Sequence, residues 1–367
     1  MKLNIKFLTI NKFVNCSKRK HLINVMRGYR FLKKENKLDM ITNVKDQLTN
    51  TNLKSVKKNT STLLMGAGFK QTELIIKQYL LVRIGAINLN KSLLYAIGKS
   101  GSAVSHPMPA EWRKVIEQNG FKVTKIRSVL VWNGFIIMKF AYGIALICKF
   151  ILNNFQSIIC PTKQNLGEYA FFDSLSSSNL PQPCLDGRSH DIVTWYLHWS
   201  GRVSNLNSIC HTVKDSKSKC VGDIPIISVQ SAIQPLSKLI AICRFTMWSM
   251  AAIVIAIFDL LRGHWWSALM LGESAKAAQV RFQDCEKLAR EYLFHNSGWI
   301  YRPLWTYEAE IKGSRILFYF YSTNCESFKK PEGYSIQANS WQVMNWPDYL
   351  VWDQYQAAAR KFFTRIF

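Results

Sequence analysis

The turn His295-Asn296-Ser297-Gly298, with Tyr301 and Arg302 just beyond it, holds residue types that phosphate chemistry uses. Histidine titrates near neutral pH and can act as a base. Arginine offers a planar, permanently charged fork suited to bidentate contact with phosphate or carboxylate. The turn follows a short strand-like stretch, Leu293-Phe294, and precedes a helical pattern opened by Pro303. In an open parallel sheet, ligands collect at the carboxyl ends of strands, beside the start of the next helix, whose free N–H groups attract anions. His295 is therefore the candidate base. Asn296, Ser297, Gly298, Tyr301 and Arg302 are the candidate substrate- and phosphate-binding residues. The plainer reading of the same turn is a helix cap, because Asn and Ser commonly serve as caps.

Other tempting motifs are incomplete. Gly98-Lys99-Ser100 resembles the end of a phosphate loop, but Leu93 stands where the loop needs its first glycine. Gly66-Ala67-Gly68 lacks a third glycine, since Gln71 occupies that place. No H-E-x-x-H and no G-x-S-x-G occurs, and no two aspartates are separated by a single residue. No metal ligands are assigned. A reaction at a nucleotide diphosphate would then rely on protein dipoles and arginine to neutralise the leaving group. A second cluster is aromatic: Trp299, Trp305, Trp341, Trp346 and Trp352, with Tyr301, Tyr307, Tyr319, Tyr321 and Tyr355. Sugars stack on such faces, but packing in a core is the commoner use. Asp191, in SHDIVTWYLHW, is one more carboxylate at the edge of an apolar run, and the loop Thr323–Met344 could cover a cleft.

The elements that would position these residues are those of an α/β fold. Arg302–Lys312 reads as a helix with Pro303 in its first turn and Gly313 just past its end. Ser314–Ser322 is apolar and aromatic, as in the middle of a parallel sheet. With the strand before the His295 turn, this makes a β-α-β unit. A second unit is expected from the run ending Lys91–Ile97 (LLYAI), a helix Pro109–Gln118 and a strand Phe121–Thr124. Thr72–Val82 fits an amphipathic helix. Glu273–Tyr292 fits a longer one, with Ala275, Ala278, Phe282, Cys285, Leu288 and Tyr292 on one face. Ile226–Val229 and Tyr349–Trp352 are strand candidates, Gln354–Phe363 is a short helix, and 161–225 reads as long loops with short elements.

Two stretches, Ser128–Leu152 and Leu239–Leu261, are strongly apolar. Lys139 and Lys149 interrupt the first, and Arg244 and Asp259 the second, whose longest uncharged run is the 14 residues Phe245–Phe258. A spanning helix needs about 20 apolar residues. The short run and the neighbouring Trp248, Trp265 and Trp266 point to an interfacial or buried helix instead. The chain of 367 residues carries a formal charge of +25, and residues 1–60 hold 15 basic and 3 acidic side chains. That leader is expected to be a disordered basic arm with at most one short helix. Such charge favours anionic partners. No nucleic-acid-binding motif accompanies it, so specific nucleic-acid binding is not assigned. The nine cysteines are widely spaced with no C-x-x-C, as for reduced thiols of a cytosolic protein.

The run 288–334 (LAREYLFHNSGWIYRPLWTYEAEIKGSRILFYFYSTNCESFKKPEGY), then 344–357 (MNWPDYLVWDQYQA), resembles bacterial surface-polysaccharide biosynthesis proteins named for a PFTS motif. The segments 106–123, 179–199 and 260–271 fit the same resemblance, which covers roughly 90–357. The PFTS tetrapeptide itself is absent.

The resemblance implies a glycosyltransferase of the two-Rossmann-domain kind. Its Rossmann-like N-terminal domain would handle the acceptor, and a C-terminal domain would bind a nucleotide-sugar donor without a further cofactor. The expected organisation is a leader over 1–60, a Rossmann-like acceptor-type domain with inserted apolar helices over 61–357, and a truncated tail over 358–367. The expected role is polysaccharide assembly at the cytoplasmic face of the inner membrane, as a peripheral protein. Its partners would be the membrane surface, a lipid-linked saccharide acceptor and other polysaccharide-assembly proteins. The alternative is a non-catalytic, membrane-peripheral scaffold of such an assembly.

Overall fold

The computed structural model describes residues 20–35, 37, 39–53, 72–85, 88–160, 166–181, 191–199, 206–213, 219–295, 301–320, 329–330, 333–334 and 345–351. The chain divides into two compact units. One draws on Met1–Lys58 and Glu73–Met138, the other on Lys139–Gln337 and the chain from Trp341 onward.

The first unit is helical. It contains α1 (20–34), α2 (Asp39–Asn50), α3 (Thr72–Tyr79) running on as a π-helical turn over Leu80–Gly85, α4 (Asn88–Gly98), α5 (Ala110–Gln118) and the start of α6 (Lys125–Ile159). The basic leader is thus helical over α1 and α2 rather than disordered. Val25, Leu32, Val44 and Leu48 recur at helical spacing and are buried, a pattern obscured by the surrounding Lys and Asn. The side-chain amide of Asn119, past the end of α5, donates to Gln47 Oε1 of α2 at 2.6 Å.

The β-α-β unit expected around α5 does not form. Lys91–Ile97 lies inside α4, where Leu89, Leu93 and Ala96 fall on one buried face. Phe121–Thr124 is irregular and leads directly into α6. Two glycines set the crossing of α1 and α4. A Cβ on Gly28 would stand 2.0 Å from the Leu94 carbonyl oxygen, and one on Gly98 would stand 1.9 Å from that of Asn24. Gly98 is therefore a helix-contact residue.

The second unit is a seven-stranded, mostly parallel sheet flanked by helices. Its elements are β1 (Tyr169–Phe172), α7 (Ile192–Trp199), β2 (Ser208–His211), β3 (Lys219–Val221), β4 (Ile224–Ser228), α8 (Leu239–Leu261), α9 (Trp266–Arg281), β5 (Glu291–His295), α10 (Leu304–Ile311), β6 (Arg315–Tyr319) and β9 (Asp348–Leu350). A separate hairpin, β7 (Lys329–Lys330) and β8 (Gly333–Tyr334), precedes β9. The order across the sheet is β3-β4-β2-β1-β5-β6-β9, and only β3 is antiparallel to its neighbour. The chain begins at β1 in mid-sheet and lays β2 and β4 to one side. It then returns to the other edge of β1 with β5 and continues outward through β6 and β9.

Alternation along the strands fills two cores. Ala170 and Phe172 face α7, packing with Ile192, Val193, Tyr196, Leu293, Leu317 and Tyr319. Phe171 meets Tyr292 on the opposite face, where Trp305 of α10 and Trp346 pack against Phe294 at 5.9 and 5.0 Å between ring centres. The β5-α10-β6 unit follows the sequence expectation. Pro303 immediately precedes α10, one residue earlier than a first-turn place, Gly313 takes φ +96 just past its end, and β5 and β6 pair in parallel from Glu291↔Arg315 to His295↔Tyr319.

The helix expected over Glu273–Tyr292 is corrected. It ends at Arg281, a 3-10 turn occupies Cys285–Lys287, and Tyr292 lies in β5. The Gln283 side chain donates to the carbonyls of Gln234 and Pro235 at 3.1 and 3.0 Å and accepts from the Asp284 N–H. The backbone is diverted there, and pairing of β5 with strands on both sides claims Tyr292. The strand expected at Ile226–Val229 is β4, and that at Tyr349–Trp352 overlaps β9. The helix expected over Gln354–Phe363 lies outside the described residues.

Candidate functional site

The winding of the sheet reverses between β1 and β5. In open parallel sheets, the crevice outside the carboxyl ends of strands at such a reversal is where ligands bind. Here the two strand ends carry Asp173-Ser174 and His295. Parallel pairing runs Ala170↔Glu291 to Phe172↔Leu293, and the Asp173 N–H continues it by donating to the Leu293 carbonyl at 2.9 Å. That brings Ser174 level with His295, and His295 Nε2 lies 3.3 Å from the Ser174 carbonyl oxygen. A carbonyl only accepts, so the imidazole carries its proton on Nε2 and its lone pair on Nδ1.

Burial is the main influence on His295 and lowers its pKa below the ordinary histidine value. The Ser174 carbonyl and the Asp173 charge pull the other way. The neutral ring is the form a general base needs. Ser174 holds φ +56, a region that residues with a Cβ seldom occupy, and its hydroxyl donates to Asp173 Oδ2 at 2.5 Å. Positive φ in a non-glycine residue tends to occur where the surrounding structure enforces it, functional sites included. Tyr319, the β6 neighbour of His295, presents its ring 5.7 Å from the imidazole.

The other candidate residues distribute differently. Asn296, Ser297 and Gly298 lie outside the described residues, as do Trp299, Trp341, Trp352, Tyr321 and Tyr355. Tyr301 is buried. Arg302 is 4% exposed, and its charge is already answered within the fold. Its Nε donates to Thr306 Oγ1 at 3.1 Å, one terminal nitrogen pairs with Glu310, and its guanidinium lies 3.8 Å over the Tyr307 ring. As placed, Arg302 fixes the first turn of α10. Trp305 and Trp346 are packed in the core and are not open stacking faces. Asp191 caps α7, accepting from the Thr194 N–H at 2.8 Å and from the Thr194 hydroxyl at 2.9 Å.

Asp173 and Ser174 carry no local motif that marks them. What marks their neighbourhood is the four-residue apolar run Tyr169–Phe172, followed at once by two turn-forming residues. The opposite edge of the sheet is where the ion pairs gather. Glu291 accepts from the Tyr196 hydroxyl and lies 3.9 Å from Arg315, which also pairs with Asp348 at 3.1 Å, and Arg290 pairs with Glu168. These pairs join the amino ends of the strands, the end of the sheet opposite His295.

Residues 248–366 match the family model described as polysaccharide biosynthesis PFTS motif protein. The match takes in β5, α10, β6 and β9, and with them the runs 288–334 and 344–357 that carry the likeness. The similar-looking segments at 106–123 and 179–199 fall before it. No curated protein matches, and no solved structure matches.

Proposed function

We propose that this protein is a glycosyltransferase-like enzyme of polysaccharide biosynthesis whose reacting groups meet at the β1/β5 reversal, with His295 as the acceptor-side base. The family match supports the biosynthetic context. The observation that carries the chemistry is the contact of His295 Nε2 with the Ser174 carbonyl at the β1/β5 reversal, the kind of place where open parallel sheets bind ligands, with burial favouring the neutral ring. Nδ1 would take the proton of an acceptor hydroxyl as its oxygen attacks the anomeric carbon. The bond from that carbon to the leaving diphosphate breaks in the same displacement. Asp173, whose charge favours the imidazolium, would stabilise it as it forms.

Counted among the parallel strands alone, the order reads 3-2-1-4-5-6, and we read the sheet as Rossmann-like on that basis. The donor would be a nucleotide sugar and the acceptor a lipid-linked saccharide at the cytoplasmic face of the membrane. The turn Asn296-Ser297-Gly298 is the proposed phosphate contact. The engagement of Arg302 by Glu310 favours a second reading, a non-catalytic scaffold of polysaccharide assembly, because it removes one candidate phosphate ligand.

Calorimetry against a panel of nucleotide sugars separates the readings, followed by transfer to a membrane lipid extract with wild type and His295→Gln. Binding of one donor, and transfer abolished by the substitution, is the expected result. Absence of any donor binding would leave the scaffold. Undiminished transfer by His295→Gln would remove His295 as the base.

A further inference from the structure

α8 and the second-unit part of α6 carry apolar side chains on their outer faces as well as their inner ones. On α8, Leu239, Met247, Met250, Val254, Phe258 and Leu261 are exposed, Met247 at 67% and Leu261 at 78%, while Ser249 and Asp259 are buried. Asp259 accepts a hydrogen bond from Ser267 of α9, and the Ser249 hydroxyl donates to the Phe245 carbonyl at 2.8 Å. On α6 past Lys139, Leu152, Phe155 and Ile159 are exposed, while Ile147 and Asn154 are buried. A helix at a water-facing surface confines its apolar side chains to the inner face and shows polar ones outside. Contiguous apolar exposure of this kind marks an interaction site. The two helices meet where Phe150 and Phe245 pack edge to face, 6.1 Å between ring centres.

The charges around this face choose among its possible occupants. Arg244, Arg262 and Lys149 are exposed at its rim or within it, and the one acidic residue of α8 is turned away. Long basic side chains can lay their methylenes along an apolar phase and reach its polar boundary. The sheet topology settles the helix's orientation. β4 leads into α8 and α9 leads out to β5, all within one sheet unit, and α9 is joined to α10 by the Arg281–Glu308 pair at 2.7 Å. A crossing by α8, whose 23 residues make about 34 Å of helix, would strand α9 and β5 on the far side of the bilayer. The helix must lie along a surface.

We propose that the outer face of α8, with the adjoining outer face of α6, docks into one leaflet of an anionic phospholipid bilayer without crossing it. The occupant is lipid, because the face is apolar through its middle and purely basic at its charged positions, the pattern of an interfacial helix on anionic lipid. This goes beyond the transfer reading and does not rest on it. A protein that docks but transfers no sugar leaves this inference intact.

The test is flotation of the full chain with phosphatidylcholine vesicles, with and without phosphatidylglycerol. Wild type should float with the anionic vesicles and remain bound at about 1 M salt, where charge attraction is screened within about 3 Å. Met250→Glu with Val254→Glu should weaken binding at least about tenfold while leaving the circular dichroism and melting curve unchanged. If that pair loses helical signal, Leu261→Glu, in the exposed last turn, takes its place with the same expected loss. Failure to float, complete release by salt, or unchanged binding of the folded variant would overturn the proposal. So would a lipid-free dimer that the same substitutions dissociate, since a second copy of the chain would then be what covers the face.

Discussion

His295 Nε2 lies 3.3 Å from the carbonyl oxygen of Ser174, although 121 residues of chain separate them. The contact exists only because β1 and β5 pair in parallel, and it fixes which ring nitrogen carries the proton. Partly buried against that carbonyl, the imidazole has a folded-state pKa depressed below the ordinary 6.5.

The depressed pKa has a signed consequence for stability. Below pH 6.5 the unfolded chain protonates at residue 295 before the folded one does. Unfolding then takes up a proton, and stability falls as the pH drops from that value to the lower folded-state pKa. Below the folded-state pKa the contribution levels off. His295→Gln keeps an N–H for the Ser174 carbonyl but has nothing to titrate, so it should flatten this part of the curve. Urea unfolding of both proteins at a series of pH values measures the difference. Parallel slopes would contradict the burial argument.

Two helical glycines should respond to alanine with opposite signs. At Gly98 the added methyl would lie 1.9 Å from the Asn24 carbonyl oxygen, so α1 and α4 must part. The cost should be about 3 kcal/mol, the upper end for overpacking. At Gly134, in α6, an added Cβ meets nothing within 4 Å. Alanine there should gain about 1 kcal/mol from helix propensity. Denaturation midpoints of the two variants read this directly, and a shift in the same direction would contradict the α1–α4 crossing.

Asn154 and Gln279 exchange two hydrogen bonds, at 3.0 and 2.7 Å, joining α6 to α9 in a buried site. Asn154 Oδ1 also accepts from the Leu236 N–H at 2.9 Å. Asn154→Leu removes the acceptor of that buried N–H and both Gln279 bonds to residue 154, leaving the Gln279 amide only its 3.3 Å bond to the Gln234 carbonyl, at a cost of about 2–4 kcal/mol. A double-mutant cycle with alanine at both positions should show a coupling of about 1–2 kcal/mol. Additive losses would mean the pair does not act as a unit.

What was legible in the sequence follows from how local each signal is. β5-α10-β6 could be read because Pro303 and Gly313 punctuate the helix and an unbroken aromatic run follows it. LLYAI misled because a short apolar run fits a strand or a buried helix equally, and only the spacing of Leu89, Leu93 and Ala96 against a packed face decides. α9 is buried on nearly every side, so its helical stripe continued on paper past Arg281, where Gln283 diverts the chain. Of the β1/β5 reversal, His295 was visible because histidine after a strand is conspicuous. Asp173 and Ser174 were not, because their role depends on a strand pairing that no local pattern encodes.

Arg302 offers a test that separates a structural from a ligand-binding arginine. Its guanidinium is buried, paired with Glu310, hydrogen-bonded to Thr306 and stacked on Tyr307. Arg302→Gln removes the charge and most of this geometry, so stability should fall by about 2–3 kcal/mol, the scale of a charged hydrogen-bond set. Arg302→Lys keeps the charge but cannot lie flat on the Tyr307 ring or fork between Thr306 and Glu310, so it should recover only part of the loss. Neither change should alter the affinity for any nucleotide sugar the wild type binds, once measured at a temperature where the variants are folded. A variant of unchanged stability whose donor affinity drops tenfold or more would return Arg302 to the phosphate-binding role. It would also require the Glu310 pair to open when ligand arrives, which a donor-induced change in Tyr307 fluorescence or absorbance would report.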